Sequence, residues 1–169
     1  MTTKKELQKK IDLLQTQLNK YKEISMHDEL TGLYNRRKFM RDINSACYNY
    51  SRYRTNFVTV LIDIDKFKQI NDTKGHAEGD RTLKYLSNVI ENNLRFGDKA
   101  YRFGGDEFAI ILYNTNIKMV KHTVIKRIKE DLTFNISCGI ISNHKDYTEL
   151  LDIVDKRMYK DKLKHKLEV

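Results

Sequence analysis

The chain has 169 residues, 40% hydrophobic and 10% aromatic, which is enough for one domain with a buried core and excludes a disordered chain. Its 32 basic and 23 acidic residues give a net charge of +9, which favours a phosphate-bearing partner. No apolar run approaches the ~20 residues that a membrane-spanning helix needs. The first residues are polar, and Cys47 and Cys138 follow no metal-ligand spacing. We therefore expect a cytoplasmic protein with two reduced thiols and no membrane partner.

Residues 1–26 carry the pattern of a helix with one apolar stripe. Apolar side chains recur at alternating spacings of four and three residues, which is the heptad pattern of a coiled coil. They are Leu7, Ile11, Leu14, Leu18 and Tyr21. Fewer than three heptads are covered, so an amphipathic helix packed on its own domain is the alternative. We expect a short coiled coil that makes a homodimer, followed by a folded domain over residues 27–169.

The domain alternates predicted helices and strands. In chain order we expect a helix from about 35 to 54, a buried strand at "NFVTVLIDID", a short helix at "KFKQINDTKG", a helix at "EGDRTLKYLSNVIENNL", a hairpin around Gly104 and Gly105, a basic helix over 117–130, a strand at "TFNISCGIIS" and a helix from about 147. Mixed strands with helices on one face describe an α/β fold, an α+β sandwich of ferredoxin-like or polymerase-palm type.

The hairpin "YRFGGDEFAIIL" joins two strand-like runs through Gly104 and Gly105. Glycine tolerates positive φ, so this pair predicts a tight turn. The absence of side chains also lets a ligand approach the turn backbone closely. Neither argument explains why Asp106 and Glu107 follow at once.

Acidic residues also end the predicted buried strand, at Asp63 and Asp65. If the hairpin lies beside that strand, Asp63 and Asp106 converge. Two close carboxylates need a compensating cation, and Mg²⁺ commonly uses one or two carboxylates together with phosphate oxygens. The pattern favours metal-assisted phosphoryl or nucleotidyl transfer. Acids that cap turns on a solvated edge are the alternative.

Four segments in this order resemble the GGDEF family, the diguanylate cyclases, between Asp28 and Lys166. They are "DELTGLYNRR", "DIDKFKQINDTKGHAEGD", "RFGGDEF" and "NISCGI". The resemblance implies condensation of two GTP into cyclic di-GMP with release of pyrophosphate, at the interface of two facing protomers. A coiled coil would then raise the local concentration of the second half-site.

The resemblance also implies roles for individual residues. Mg²⁺, with Mn²⁺ as a substitute, would be held by Asp63, Asp106, Glu107 and the carbonyl of Ile64. Catalysis would use Asp106 to help deprotonate the ribose hydroxyl, together with Glu107 and Lys68. GTP would be bound by Phe67, Lys68, Asn71, His76, Asp80, Gly104, Gly105, Lys162 and Lys166. Asn71 and Asp80 would read the base, because the adjacent N1–H and N2–H₂ donors of guanine suit a carboxylate and the N1 acceptor of adenine does not.

A further match, "RFGD", contains Arg95 and Asp98 at the spacing and position of the inhibitory product site of the family. Arginine suits this task because its planar fork binds phosphate or a guanine edge through two hydrogen bonds. An ordinary ion pair three residues apart is the alternative. We favour feedback inhibition by cyclic di-GMP.

The chain departs from the family pattern in two places. The connection between the hairpin and the late strand is short, so a small peripheral hairpin is expected to be missing. In the closing motif, Lys166 stands where arginine is usual, His165 replaces a glycine and Leu167 an asparagine. Lysine retains the charge without the fork.

Two other functions remain open. One is a catalytically inactive GGDEF-like module that binds GTP or cyclic di-GMP and signals through protein contacts; the intact Asp63, Asp106 and Glu107 favour an enzyme instead. The other is a nucleic-acid-binding protein, suggested by the net charge. The basic residues are interleaved along helices without a known reading motif, so we expect no nucleic-acid partner.

Overall fold

The structure, a computed structural model, describes residues 4–24 and 26–167. Its elements in chain order are α1 (Lys4–Ile24), β1 (Tyr34–Asn35), α2 (Arg36–Tyr53), β2 (Phe57–Ile64), α3 (Phe67–Lys74), α4 (His76–Asn92), β3 (Lys99–Arg102), β4 (Glu107–Tyr113), α5 (Ile117–Met119), a π-helical turn (Val120–Ile125), α6 (Lys126–Asp131), β5 (Ile136–Ser142) and α7 (Tyr147–Leu167). The predicted elements are all present, with boundaries shifted by a few residues.

The five strands form one mixed sheet in the order β1-β3-β4-β2-β5. β1 pairs with β3 in parallel, and the other neighbours are antiparallel. β3 and β4 form the predicted hairpin, and β4 pairs with β2 along its whole length. This register sets Asp63 opposite Glu107 on one side and opposite Ser137 on the other. The predicted fold class is confirmed.

Helices cover both faces of the sheet, so the expectation of helices on one face was wrong. All eight residues of β2 are buried, and they alternate between two cores. One core lies under α4 and the helical segment 117–131, and the other lies under α2 and α7. A strand that is apolar at nearly every position needs cover on both faces, because successive side chains point to opposite sides.

α1 presents its apolar stripe to solvent. Leu7, Ile11, Leu14 and Tyr21 are exposed by 52%, 46%, 54% and 71%, which contradicts the alternative of a helix packed on its own domain. The side chain of Leu18 lies outside the described residues. Pairing of two such helices remains a prediction. No helix in the described ranges combines the length and the apolar composition needed to cross a membrane.

The short connection between β4 and β5 is mainly helical. Residues 114–135 hold α5, the π-helical turn and α6, and no strand, in line with the missing hairpin. Both cysteines are free thiols, as expected. Burial raises the pKa of Cys47 to about 11 and that of Cys138 to about 12, so both thiols are protonated near neutral pH.

Candidate active site

The end of β2 and the start of β4 bring the predicted metal acids together. The backbone N–H of Ile64 donates to the carbonyl of Asp106 at 3.3 Å, which fixes the loop against the strand. Asp63 is the last residue of β2 paired with β4, and only 6% of it is exposed. The convergence of Asp63 and Asp106 expected from the hairpin is therefore present.

The connection between β3 and β4 is a four-residue loop, and its glycines do not have the conformation that the sequence predicted. Neither Gly104 nor Gly105 has a positive φ. A Cβ on Gly104 would lie 2.6 Å from Oε2 of Glu107, so a side chain here would displace the carboxylate from its position over the loop. A Cβ on Gly105 would meet nothing within 4 Å. On the side where a side chain would project, Gly105 is therefore open to an approaching ligand.

Asp63 and Glu107 belong to one cluster of negative charge. Burial raises the pKa of Asp63, and the charges of Asp106 and Asp65 add to this effect while Lys162 opposes it. Burial likewise raises the pKa of Glu107, assisted by the charges of Asp63 and Asp106. Both carboxylates are less stable as anions than they would be in water, because they share one half-buried space. A cation in that space would stabilise both.

Lys162 is the basic side chain nearest to this cluster. Its Nζ lies 2.6 Å from Oδ1 of Asp63, a contact that spans 99 residues of sequence. Burial opposes the protonated form, but the hydrogen bond to Asp63 and the charges of Asp63, Asp106 and Asp65 outweigh burial and raise the pKa of Lys162. α7 thus brings a cation to the acids.

The donor chemistry fits a magnesium ion that arrives with phosphate. In the described ranges, no three side chains of His, Cys, Asp or Glu stand close enough to enclose a metal by themselves. Mg²⁺ does not require such a cage, since it commonly takes one or two carboxylates and completes its shell with water and phosphate oxygens. The carboxylates of Asp63 and Asp106 and the carbonyl of Ile64 are oxygen donors of this kind.

α3 and α4 position the predicted base-reading residues. Lys66 precedes α3 with a left-handed φ of 58°, and no side chain caps the start of that helix. A Cβ on Gly79 would lie 2.0 Å from Oδ1 of Asn71 and 3.3 Å from the ring of Phe67. Gly79 therefore leaves the space in which the Asn71 amide lies. The sequence analysis missed this role of Gly79. The signal that could have revealed it was Gly75, because a single glycine between two helices indicates that they pack closely.

The other predicted ligand residues divide into two groups. Lys68, His76 and Asp80 are exposed on α3 and α4, and among the described residues no hydrogen bond or ion pair joins them to the acids. Lys162 and Lys166 line one small cavity of about 30 Å³ with Asp65 and His165. Their roles toward GTP remain predictions.

Two residues that the sequence analysis did not assign hold the site in place. Arg102 donates from Nε and Nη2 to the carbonyl of Gly105 at 3.2 and 2.8 Å, and from Nη1 to both carboxylate oxygens of Asp28 at 3.1 and 3.2 Å. His165 lies with Nδ1 2.6 Å from Oδ2 of Asp65, and Ser137 donates to Oδ1 of Asp65 at 2.6 Å. Arg102 joins the loop to the segment that follows α1, and His165 anchors the end of α7.

Arg95 and Asp98 form an ion pair at the opposite end of β4. Nε of Arg95 lies 3.3 Å from Oδ2 of Asp98, and Oδ1 of Asp98 accepts from the backbone N–H of Tyr113 at 3.2 Å. The Asp98 side chain is 4% exposed and that of Arg95 is 65% exposed. Six residue steps of β4 separate Tyr113 from Glu107, which is roughly 20 Å at the rise of a strand. The ion-pair alternative is thus realised, while the guanidinium remains accessible.

Comparison with known proteins shows the family of this chain. A family model described as "Diguanylate cyclase, GGDEF domain" matches residues 25–167. Diguanylate cyclase DosC of Escherichia coli (strain K12) is 34% identical over 157 residues, covering 82% of this chain and 34% of DosC. Diguanylate cyclase DgcS of Shewanella oneidensis is 32% identical over 165 residues, covering 89% of this chain and 55% of DgcS. The chain therefore spans about one third to one half of these two relatives.

Solved structures share the fold. The coiled coil and GGDEF domain of DgcB from Caulobacter crescentus, in complex with c-di-GMP, matches with a TM-score of 0.83 at 25% identity. The match covers 92% of this chain and 90% of the DgcB chain. The family match, the curated relatives and the paired strands with their acids agree: this chain belongs to the GGDEF-domain family of diguanylate cyclases.

Proposed function

We propose that this chain condenses two molecules of GTP into cyclic di-GMP and releases two molecules of pyrophosphate. The observation that carries the proposal is the β2–β4 register, which sets Asp63 opposite Glu107, together with the hydrogen bond that joins Ile64 to Asp106, the neighbour of the exposed Gly105. An inactive module has no need to keep Asp63 and Glu107 where burial and the charge of Asp106 raise the pKa of both.

Asp63, Asp106, Glu107 and the carbonyl of Ile64 would hold Mg²⁺, and Mn²⁺ has the same preference for oxygen donors. When bound, the ion would supply positive charge for the phosphate oxygens and lower the pKa of the ribose hydroxyl. In the present structure the negative charge of Asp63 attracts Lys162. When GTP binds, the negative charge of its phosphates would attract Lys162 in the same way, and the lysine would move from Asp63 to them. Lys68 and Lys166, both exposed, would add charge at the phosphate tail.

The reaction needs a base that removes the proton of the ribose hydroxyl and residues that bind and orient guanine. Asp106 would accept the proton from the 3′-oxygen of one GTP as that oxygen bonds to the α-phosphorus of the other, and the bond to pyrophosphate breaks. The same step, repeated with the two nucleotides exchanged, closes the ring. Asn71 and Asp80 would hold the N1 and N2 edge of guanine, with Phe67 and His76 beside the nucleotide.

Two copies of the domain must face each other for this reaction, since each would hold one GTP. α1 supports such pairing, because its apolar stripe is exposed on a 21-residue helix. The related DgcB structure has a coiled coil beside its GGDEF domain. Holding two half-sites on one dimer would raise their effective concentration well above that of free chains.

Product inhibition would act through Arg95 and Asp98. The exposed guanidinium of Arg95, oriented by Asp98, is suited to a phosphate or a guanine edge. This pair lies roughly 20 Å along β4 from the acids. Bound cyclic di-GMP would therefore inhibit from a separate site rather than by competing with GTP.

The purified chain incubated with Mg²⁺ and equal amounts of GTP and ATP tests the reaction, with products identified by mass spectrometry. Cyclic di-GMP alone is the expected product, and Asp106→Asn should yield none while keeping its fold. Mixed products would refute the base reading by Asn71 and Asp80. No product from concentrated protein freed of co-purified cyclic di-GMP would favour the inactive module.

Sedimentation tests the dimer. Ile11→Lys combined with Leu14→Lys places two charges on the stripe and should convert the dimer to a monomer. Leu13→Lys combined with Thr16→Lys adds the same charge to exposed positions off the stripe and should leave the dimer intact. A chain that is monomeric at all concentrations, or equal behaviour of the two pairs, would refute pairing through α1.

A further inference from the structure

A cleft of about 450 Å³ lies at the outer edge of β5, between the helical segment 117–131 and α7. We call it the β5-edge cleft. None of the residues implied in catalysis, GTP binding or product inhibition lines it. Its volume is within the ~300–1,000 Å³ range of small-molecule sites.

The edge of β5 beneath this cleft is closed to another strand. Arg157 donates from Nη1 to the carbonyl of Ile140 at 2.5 Å, and the backbone N–H of Cys138 donates to Oδ2 of Asp161 at 3.0 Å. These side chains occupy the backbone groups through which an added peptide strand would pair. The cleft is therefore suited to a small molecule rather than to an extended peptide.

Positive charge dominates the walls of the β5-edge cleft. Five basic side chains line it against one acid, and they are Lys121, Lys129, Arg157, Lys160 and Lys164. The acid, Asp161, already accepts the Cys138 N–H and lies 3.8 Å from Lys129. The described residues provide no carboxylate partner for Lys121, Lys160 or Lys164. An anion between these lysines would relieve their mutual repulsion.

The floor of the cleft is apolar. Ile125 and Ile140 are buried, Ile117 is half-buried, and the half-buried thiol of Cys138 lies beside them. An inorganic anion would leave this surface in water. A ligand with phosphates at one end and a planar or apolar group at the other would use both walls and floor.

The π-helical turn brings the helical wall into line. Four residues of this segment line the cleft at intervals of four: Ile117, Lys121, Ile125 and Lys129. In a regular α-helix, side chains four residues apart differ in direction by about 40° around the helix axis. The wider turn at Val120–Ile125 reverses that difference midway, so all four residues face the cleft. π-Helical turns are rare in proteins, and those that occur are often found at functional sites. On α7, residues 157, 160, 161 and 164 share one face at ordinary helical spacing.

We propose that the β5-edge cleft is a binding site for a nucleotide-like ligand, with phosphates at Lys121, Lys160 and Lys164 and its ring against Ile125 and Ile140. The site is independent of the proposed cyclase reaction, because it shares no residue with the acids, the GTP ligands or the Arg95 pair.

Methyl NMR on isoleucine-labelled protein tests the proposal, with ADP as probe and no added Mg²⁺. Saturable shifts are expected at Ile117, Ile125 and Ile140, while Ile64 and Ile70 report on the candidate active site. Inorganic pyrophosphate should bind more weakly than ADP, because it does not use the apolar floor.

Charge-reversal variants complete the test. Lys121→Glu with Lys164→Glu should weaken ADP binding about tenfold or more. Lys118→Glu with Lys156→Glu changes net charge equally at exposed positions outside the cleft and should have little effect. Shifts confined to Ile64 and Ile70, equal loss in both variants, pyrophosphate binding as tight as ADP, or no saturable shift at millimolar ADP would each overturn the proposal.

Discussion

Gly139→Ala should disturb the structure and the proposed activity together, because this glycine allows α7 to pack against β5. A Cβ at position 139 would lie 2.0 Å from the carbonyl oxygen of Val154 and 2.8 Å from the backbone nitrogen of Met158. Ordinary contact begins at 3.4 Å, so α7 must retreat by about 1.4 Å. Overpacking of this kind costs about 1–3 kcal/mol, and the rigid helix backbone favours the upper part of that range.

Two measurements follow from this displacement. For a domain of this size, 2–3 kcal/mol corresponds to a melting temperature lower by about 5–10 °C. Lys162 lies one helical turn beyond Met158, so the shift should also break its 2.6 Å contact with Asp63. A misplacement of about 1 Å can cost 10²-fold in rate, and kcat/KM for GTP should fall by about that factor.

The stability control is Gly105→Ala, the same substitution at a position where the new Cβ meets nothing within 4 Å. It should leave the melting temperature within about 1–2 °C of the parent, since surface substitutions of this kind stay near ±0.5 kcal/mol. An unchanged melting temperature for Gly139→Ala would refute the packing argument. A lower melting temperature with full activity would refute the link between α7 and the acids.

Gly79→Ala should raise the KM for GTP by about tenfold with little loss of stability, because the new methyl group displaces the flexible amide of Asn71; steady-state kinetics and a thermal melt separate the two effects. Asp42→Asn should lower the free energy of unfolding by about 2 kcal/mol at neutral pH. The free energy of unfolding of this variant should also depend less on pH in the acid range than that of the parent. Burial opposes ionisation of Asp42, but hydrogen bonds from Lys99, Tyr101 and Lys38 hold its pKa below the usual range; its contribution is therefore present above pH ~4 and lost below it, as urea unfolding at several pH values would show. Arg102→Lys should lower turnover about tenfold without unfolding the domain, since lysine cannot hold the Gly105 carbonyl and Asp28 at once; equal kcat values would refute this role.

The parts of the site that depend on local pattern were predictable. Strand pattern placed Asp63 at the end of a buried strand and Asp106 in a hairpin, and their convergence depended on one condition, that the hairpin lies beside the strand. The β2–β4 pairing meets that condition. The conformation of Gly104 was not predictable in this way. Its lack of a side chain serves the Glu107 carboxylate rather than a positive φ, and that contact exists only once the loop is folded.

Contacts between distant segments were beyond the sequence argument. Arg102 and Asp28 are 74 residues apart, and Asp65 and His165 are 100 residues apart. Hydrophobic periodicity identifies which face of a helix is buried, but it does not identify which residue of another element will hydrogen-bond to a polar side chain. The signal available for Arg102 was its place directly before "FGGDEF", which suggested a strand end and gave no partner.

His165 shows how a departure from a family pattern acquires a physical meaning in the structure. With glycine at position 165, the end of α7 would lack the contact that His165 makes and would reach the sheet end through Lys162 and Asp63. The imidazole instead bonds to Asp65, beside the buried hydroxyl of Ser137, and both belong to strands or loops adjoining the acids. This anchor lies one turn from Lys162. The exchange of glycine for histidine therefore ties the helix that carries the site lysine to the strand end that carries Asp63, while Lys166 retains charge without the arginine fork.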